Sequence, residues 1–349
     1  MIVAVQPDTI MSPDERNNSA ARWTRLLEEA GHEVRPVDVF RPDILDQLQG
    51  CHGLMWRFAH ITRDLALAKR LLLVAERELG LCVYPDQSTS WHYDDKLAQY
   101  FLLAARGIPV PKTWPFWRKE DALSFARDAD YPLVLKLPTG AGSQNVRLIN
   151  NASEARYWIK KLFASGVLSL GPGALSIQGI KSRLRSGAKL ILKGRRDPEY
   201  WYELHKNCIL FQEFLPDNPF DTRITVIGSR AFGFRRFNRP NDFRASGSGK
   251  IDYDIEQVDE ATIRLAFEVA QRLRMQSVAI DGMRRGEERV VGEVSYTYVS
   301  WAIADCPGHW ELEGDPETGR LAWQEGRMWP EEAQIQDFLP RLEATWPGG

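Results

Sequence analysis

Apolar positions along the first quarter of the chain follow two spacings. "IVAV" and "LCVYP" are short continuous apolar runs, the pattern of buried strands, while "SAARWTRLLEEAG" and "RDLALAKRLLLVAERELG" place apolar residues three and four apart, the pattern of amphipathic helices. "EVRPVDVF" and "HGLMWRF" read as extended and "PDILDQLQG" as a short helix. Strands alternating with helices predict a parallel α/β layer over residues 1–88, a Rossmann-like N-terminal domain. The first strand runs into "QPDTIMSPDE" and not into a glycine-rich turn, so no dinucleotide fingerprint is present.

Beyond residue 88 the pattern changes. A helix from about Asp94 stops at Gly107, "IPVPKTWPF" is extended, and "YPLVLKLP" is a strand followed by the small-residue loop "TGAGSQNV". "NASEARYWIKKLFASG" predicts a helix with Ser153 as its N-cap. A mostly basic segment runs from about Gly171 to Lys206, and "CILFQEFLP" is again a strand. "RITVIGSRAFGFRRFNRP" predicts a hairpin around Gly228, "VDEATIRLAFEVAQRLRM" a helix, and "VAIDGMRRGEERVVGEVSYTYV" a second hairpin. The tail from Trp301, rich in Trp, Pro and Gly, reads as irregular structure with a short final helix.

Bulk properties narrow the classes. A chain of 349 residues has room for about two or three subdomains. A net charge of −2 gives no electrostatic case for nucleic acid or an anionic membrane. The opening "MIVAVQPD" lacks the basic start of a signal peptide, and the most apolar helical stretch is interrupted by charges before membrane-spanning length. Cys51, Cys82, Cys208 and Cys306 lie far apart without metal-site spacing, as buried reduced thiols of a cytoplasmic protein do. His92 and His309 likewise show no ligand spacing.

Four stretches carry candidate chemistry. In the last hairpin, a turn centred near Glu287 sets Asp281 opposite Glu293, and Ser295 follows on the same face. Like charges directly opposite destabilise a strand pair. A divalent cation between them removes the conflict, unless the hairpin is simply solvated or an "IDG" turn spoils the register. Lys136 interrupts an apolar strand, where a lone ammonium is costly unless an anion meets it. The Thr139–Ser143 loop after it offers backbone N–H groups to phosphate, without being a P-loop. Gln212, Glu213, Phe214 and Leu215 end an apolar strand at Pro216, a place for a flat base, or merely a core strand with an acid at its mouth. Arg223, Arg235, Arg236 and Arg244 stand on or beside strands, and their forked donors suit carboxylates and phosphates.

The order of these pieces resembles the ATP-grasp superfamily, and within it the glutathione synthetase-like and ribosomal-protein glutamate ligase-like enzymes. The resemblance covers about Asp94 to Tyr296. It implies an α/β fold in which the N-terminal domain (1–88) precedes two ATP-grasp lobes: a central lobe (89–213) with the loop and the basic insertion, and a C-terminal lobe (214–349) with the metal site and the tail. Residue by residue, it implies that Lys96 and Lys136 bind ATP phosphates under the loop of Gly140, Gly142 and Ser143. Gln212 to Leu215 would hold adenine, Arg223 and Arg244 would face the γ-phosphate and the acyl group, and Asp281 and Glu293 would hold Mg²⁺. The family's third metal position is usually Asn in "E-x-N", and here it is Ser295. The tail also loosely resembles ATP-grasp proteins found with bacterial surface-polysaccharide genes, and its position suggests a wall of the acceptor pocket.

The resulting expectation is an ATP- and Mg²⁺-dependent carboxylate–amine or carboxylate–thiol ligase acting through an acyl phosphate on small-molecule substrates, cytoplasmic and dimeric by default. Phosphoryl transfer to a hydroxyl, or a silent nucleotide-binding regulator, are the alternatives.

Overall fold

The computed structural model describes residues 1–8, 18–140, 145–168, 204–240, 242–245 and 247–346. The chain begins with β1 (Ile2–Val5), α1 (Ser19–Glu29), β2 (Glu33–Pro36), α2 (Ile44–Gln47), β3 (Gly53–Met55), α3 (Thr62–Arg77) and β4 (Cys82–Tyr84). The strands form a parallel sheet in the order β2-β1-β3-β4. Its short apolar strands are covered on both faces, as such runs require. Ala4, Leu54 and Val83 pack towards Leu71, Leu72 and Ala75 of α3. Val3, Val5, Met55 and Tyr84 turn the other way, towards Trp23 and Leu27 of α1.

After α4 (Gln87–Ser90) and α5 (Lys96–Ala105), the central lobe is built from β5 (Thr113–Phe116), α6 (Lys119–Asp128), β6 (Leu133–Lys136), β7 (Val146–Ile149), α7 (Ala152–Leu162), β8 (Val167–Leu168), β9 (Leu204–His205) and β10 (Ile209–Glu213). Its antiparallel sheet has the order β5-β10-β6-β7. Leu135 and Phe211 pack with Ala122 and Ala126 of α6 and Ile159 of α7. Helix α6 is an element the sequence reading left out, although Ala122 and Ala126 stand one turn apart and Glu120 and Asp121 lie in the first turn. Helix α7 is capped by Asn151, whose side chain accepts from the N–H groups of Ser153 and Glu154 at 3.0 Å, so Ser153 is not the cap. The basic segment expected as an insertion in the central lobe lies outside the described residues, except at its end.

The C-terminal lobe comprises β11 (Phe220–Ile227), β12 (Arg230–Phe237), β13 (Ile251–Asp252), α8 (Glu260–Leu273), β14 (Ser277–Arg285), β15 (Glu288–Ser295), α9 (Ser300–Ala304), β16 (Gly308–Glu313), β17 (Arg320–Glu325) and α10 (Pro330–Thr345). Its strands run β15-β14-β11-β12-β16-β17, with β13 beside β12. The tail is therefore not irregular: it adds a hairpin to this sheet and ends in a 16-residue helix. Ile335, Phe338 and Leu342 of α10 fill the face of the N-terminal sheet beside Trp23 and Leu27. Residues 1–88 thus do not close their own core, and the boundaries drawn from sequence separate α10 from the sheet it covers. The final helix is longer than expected because Pro340, which reads as a breaker, lies inside it. Among the described residues no helix is long and apolar enough to cross a membrane.

Candidate functional site

The central and C-terminal lobes enclose a cavity of about 660 Å³. Lys96, Lys136, Gly140, Gln212, Glu213, Phe214, Leu215, Arg244, Asp281 and Glu293 all line it. The structure therefore brings together residues that the sequence reading took from five separate stretches.

Two lysines approach from different elements. Lys96 opens α5 behind the N-cap Asp95, and its main-chain N–H donates to Pro138 O at 2.8 Å. Its ammonium donates to Gly140 O at 2.7 Å and stands 3.9 Å from Glu293 Oε1. Gly140 N–H in turn donates to Asp94 Oδ1 at 2.9 Å. Glycine is required there: φ is +117°, and a Cβ would come within 2.1 Å of Asn145 Nδ2. Gly142 and Ser143, expected over the phosphates, lie outside the described residues. Lys136 ends β6, with Nζ 3.4 Å from Gly292 O. Burial brings its pKa down to about 8 against the pull of Glu293 and Asp281, and the charge on Lys96 adds to the fall.

Another part of the wall mixes apolar and polar side chains. Gln212 to Leu215 continue from β10 into the cavity, with Pro111, Val134 and Met283 nearby. Gln212 Nε2 donates to Thr113 Oγ1 at 3.0 Å. Glu213 Oε1 accepts from Lys112 N–H at 2.8 Å and from Arg285 Nη1 at 2.9 Å, tying β10 to β14 of the other lobe. Phe214 meets the edge of Phe243, with ring centroids 5.9 Å apart.

The acidic end is a charge network on one face of the seven-stranded sheet. Asp281 pairs in register with Glu293 across β14 and β15, as the sequence reading expected. Arg223 donates to Asp281 Oδ1 from Nε at 2.8 Å and from Nη2 at 2.7 Å. Arg236 Nη2 lies 2.6 Å from Asp281 Oδ2, and Arg236 Nε and Nη2 fork onto Asp221 at 2.7 and 2.6 Å. Burial works to raise the Asp281 pKa, but the two guanidiniums outweigh it and hold the carboxyl below its usual range. Asp221 goes the other way, raised by burial and by the charge of Asp281.

Whether these residues suit Mg²⁺ is decided by the donor set. Among the described residues no three His, Cys, Asp or Glu side chains converge as a metal group. Two carboxylates, Asp281 and Glu293, face the cavity beside the lysines, and Mg²⁺ usually takes one or two carboxylates and leaves its other positions to water and phosphate. The donor set fits in kind, although Arg223 and Arg236 hold the two oxygens of Asp281 in this structure, so a cation at Asp281 has to take the place of one of them. Ser295 does not join it: its hydroxyl donates to Thr297 O at 2.8 Å and accepts from Thr297 N–H at 3.2 Å, and it is not part of the cavity wall.

The arginines divide by strand alternation. Arg236 faces Asp281, whereas its neighbour Arg235 pairs with Asp252 on the opposite face. Arg244 lines the cavity with its guanidinium forked onto Asp242 and Nη1 3.4 Å from Val146 O. Sequence reasoning noted Arg236 without a role and missed Asp221. The two are direct neighbours in the β11–β12 register, so the hairpin pattern around Gly228 held the signal.

No protein-family profile matches the chain. It is similar to the alpha-aminoadipate–LysW ligase LysX of Saccharolobus solfataricus, 22% identical over 193 residues; the match covers 55% of this chain and 57% of that protein. The chain thus spans little more than half the length of that curated relative. Among solved structures it is similar to D-cycloserine synthetase DcsG, with a TM-score of 0.57 and 15% identity over 98% of this chain and all (100%) of that one. The D-alanine–D-alanine ligase of Bacillus anthracis complexed with ATP gives a TM-score of 0.54 at 11% identity over 99% of both chains. The RimK domain ATP-grasp protein of Sphaerobacter thermophilus gives 0.51 at 16% identity over 86% of this chain and 94% of that one. At these identities the likenesses show the architecture, which is the ATP-grasp fold.

Proposed function

We propose that this chain of ATP-grasp fold is an ATP-dependent ligase joining a small-molecule carboxylate to an amine or a thiol through an acyl phosphate, with Mg²⁺ at Asp281 and Glu293. The observation that carries the reading is the meeting of Lys96 and Lys136 with the opposed Asp281–Glu293 pair in one cavity, which the Gln212–Leu215 segment also lines. The similar proteins support it, being named a LysX ligase, a D-alanine–D-alanine ligase and a D-cycloserine synthetase.

In this reading the Gln212–Leu215 segment holds adenine, and the phosphates run towards the lysines. Lys96 and Lys136 offset phosphate charge as point charges. The metal supplies Lewis-acid neutralisation of the phosphate oxygens when bound. A substrate carboxylate oxygen attacks the γ-phosphorus, the bond to the β-bridging oxygen breaks, and ADP leaves. The acceptor's lone pair then forms the new bond to the acyl carbon; phosphate departs and the acceptor loses a proton. Arg223 and Arg244 stabilise the anionic groups through both steps, so that catalysis is chiefly positioning and electrostatics.

The test is ATP turnover with Mg²⁺ against a panel of carboxylic acids, with hydroxylamine as surrogate acceptor. Acid-dependent ADP release accompanied by hydroxamate is the expected result. Full turnover by a folded Lys136→Ala protein, or a phosphorylated product inert to hydroxylamine, would overturn the assignment, the latter in favour of a kinase.

A further inference from the structure

The contacts around Asp281 are unequal on its two oxygens. Arg223 uses Nε and Nη2 on the same atom, Oδ1, at 2.8 and 2.7 Å. Arg236 reaches the other, Oδ2, from Nη2 at 2.6 Å, while its Nε and the same Nη2 fork onto Asp221 at 2.7 and 2.6 Å. Arg236 is therefore anchored by a second carboxylate, and its side chain is 9% exposed against 18% for Arg223. β-Strand register fixes the arrangement: Asp221 is opposite Arg236 across β11 and β12, and Arg223 is opposite Asp281 across β11 and β14.

We propose that Arg236, held by Asp221, is the positioning residue of the Asp281 carboxylate, so that a cation arriving at Asp281 exchanges with Arg223 on Oδ1 and leaves the Arg236 contact on Oδ2 in place. The proposal rests on the reading of Asp281 as a metal ligand and adds to it a division of labour between two arginines. Withdrawing the Arg236 head from Asp281 would also break its fork onto Asp221 and strand a buried carboxylate. Arg223 gives up two bonds, but both go to Oδ1 of Asp281 and no second carboxylate holds it there; a released guanidinium beside the metal is where an incoming anion needs one. Cation binding and the freeing of Arg223 are then one event. Outer partners that orient a ligand in this way typically govern metal affinity by about 10–100-fold.

The two arginines make opposite predictions. Mn²⁺ binding is titrated by calorimetry and by electron paramagnetic resonance on the whole chain saturated with ADP, for the wild type and for Arg223→Ala, Asp221→Asn and Arg236→Lys. Arg223→Ala removes the competitor for Oδ1, and Mn²⁺ should bind several-fold tighter. Asp221→Asn and Arg236→Lys release Oδ2, and Mn²⁺ should bind about 10-fold weaker. A merely structural network moves all three in the same direction, and that result would overturn the proposal. So would an unchanged Mn²⁺ affinity in whichever of Asp221→Asn and Arg236→Lys retains the wild-type circular dichroism. Absence of Mn²⁺ binding to the wild-type ADP complex sinks the metal reading itself, which separates the two failures.

Discussion

Asp281 and Glu293 face each other because Gly292 is an extra residue in β15. From the turn up to Gly282, each β14 residue pairs with a β15 residue one step out of phase with the Asp281–Glu293 pair, and the register shifts between Asp281 and Gly282. Without that bulge, alternation would put Glu293 on the face of Val291. With it, Val291 and Val294 both enter the core cluster around Ile280, and Glu293 lines the cavity. Bulges re-aim side chains next to functional sites, and here the residue re-aimed is a carboxylate.

The two acids should therefore respond differently to neutralisation. Glu293 is partly exposed, with Lys96 3.9 Å away and Lys136 close enough to feel its charge. Glu293→Gln should raise the Mg²⁺ concentration for half-maximal turnover roughly 10-fold or more with little change in melting temperature. Asp281→Asn should also destabilise the fold, by about 3–5 kcal/mol, because it leaves the buried Arg236 and the part-buried Arg223 short of their counter-charge. Mg²⁺ titrations of turnover beside urea denaturation check both.

The hydroxyl of Ser295 is engaged by the main chain of Thr297. Ser295→Ala should leave the Mg²⁺ requirement within about two-fold and lower stability by about 1 kcal/mol, the worth of an ordinary hydrogen bond. A large rise in the Mg²⁺ requirement would restore Ser295 to the ligand set.

Lys136 sets a pH dependence with two opposite signs. Its pKa is about 8 in the unliganded fold and 10.5 when unperturbed. Between those values the unfolded chain binds a proton that the folded chain has lost, so the stability of the unliganded protein should rise with pH across that window. Nucleotide phosphates need the ammonium, so ADP affinity should fall over the same range. Urea denaturation and ADP titration at pH 7 and pH 9.5 measure the two effects, and Lys136→Met should flatten both while reducing turnover at least about 100-fold.

Phe338 lies in α10 and is fully buried against the N-terminal sheet, where its ring comes within 3.0 Å of where a Cβ on Gly53 would sit. Phe338→Ala should cost about 3–5 kcal/mol despite its distance in sequence from residues 1–88. Chemical denaturation followed by far-ultraviolet circular dichroism reports the loss.

Local pattern determined much of this protein. The strand and helix alternation of the N-terminal sheet, the hairpins around Gly228 and Gly286, and the cap of α5 follow from spacing and turn chemistry within a few residues. The pairing of Asp281 with Glu293 was expected from a turn centred near Glu287; the turn is centred between Gly286 and Glu287, and the pair forms because the Gly292 bulge makes up the difference. Three further things were decided only in the folded chain. Alternation along β12 does not say which of Arg235 and Arg236 faces inward until β11 and β13 are placed beside it. The hydroxyl of Ser295 had a competing partner in the main chain two residues on, and sequence spacing carries no information about which partner wins. Helix α10 finds its place because the N-terminal sheet has an apolar face that α1 alone leaves partly uncovered. The contact spans nearly the whole chain, and the free energy of burying that face, which no local pattern records, is what fixes it.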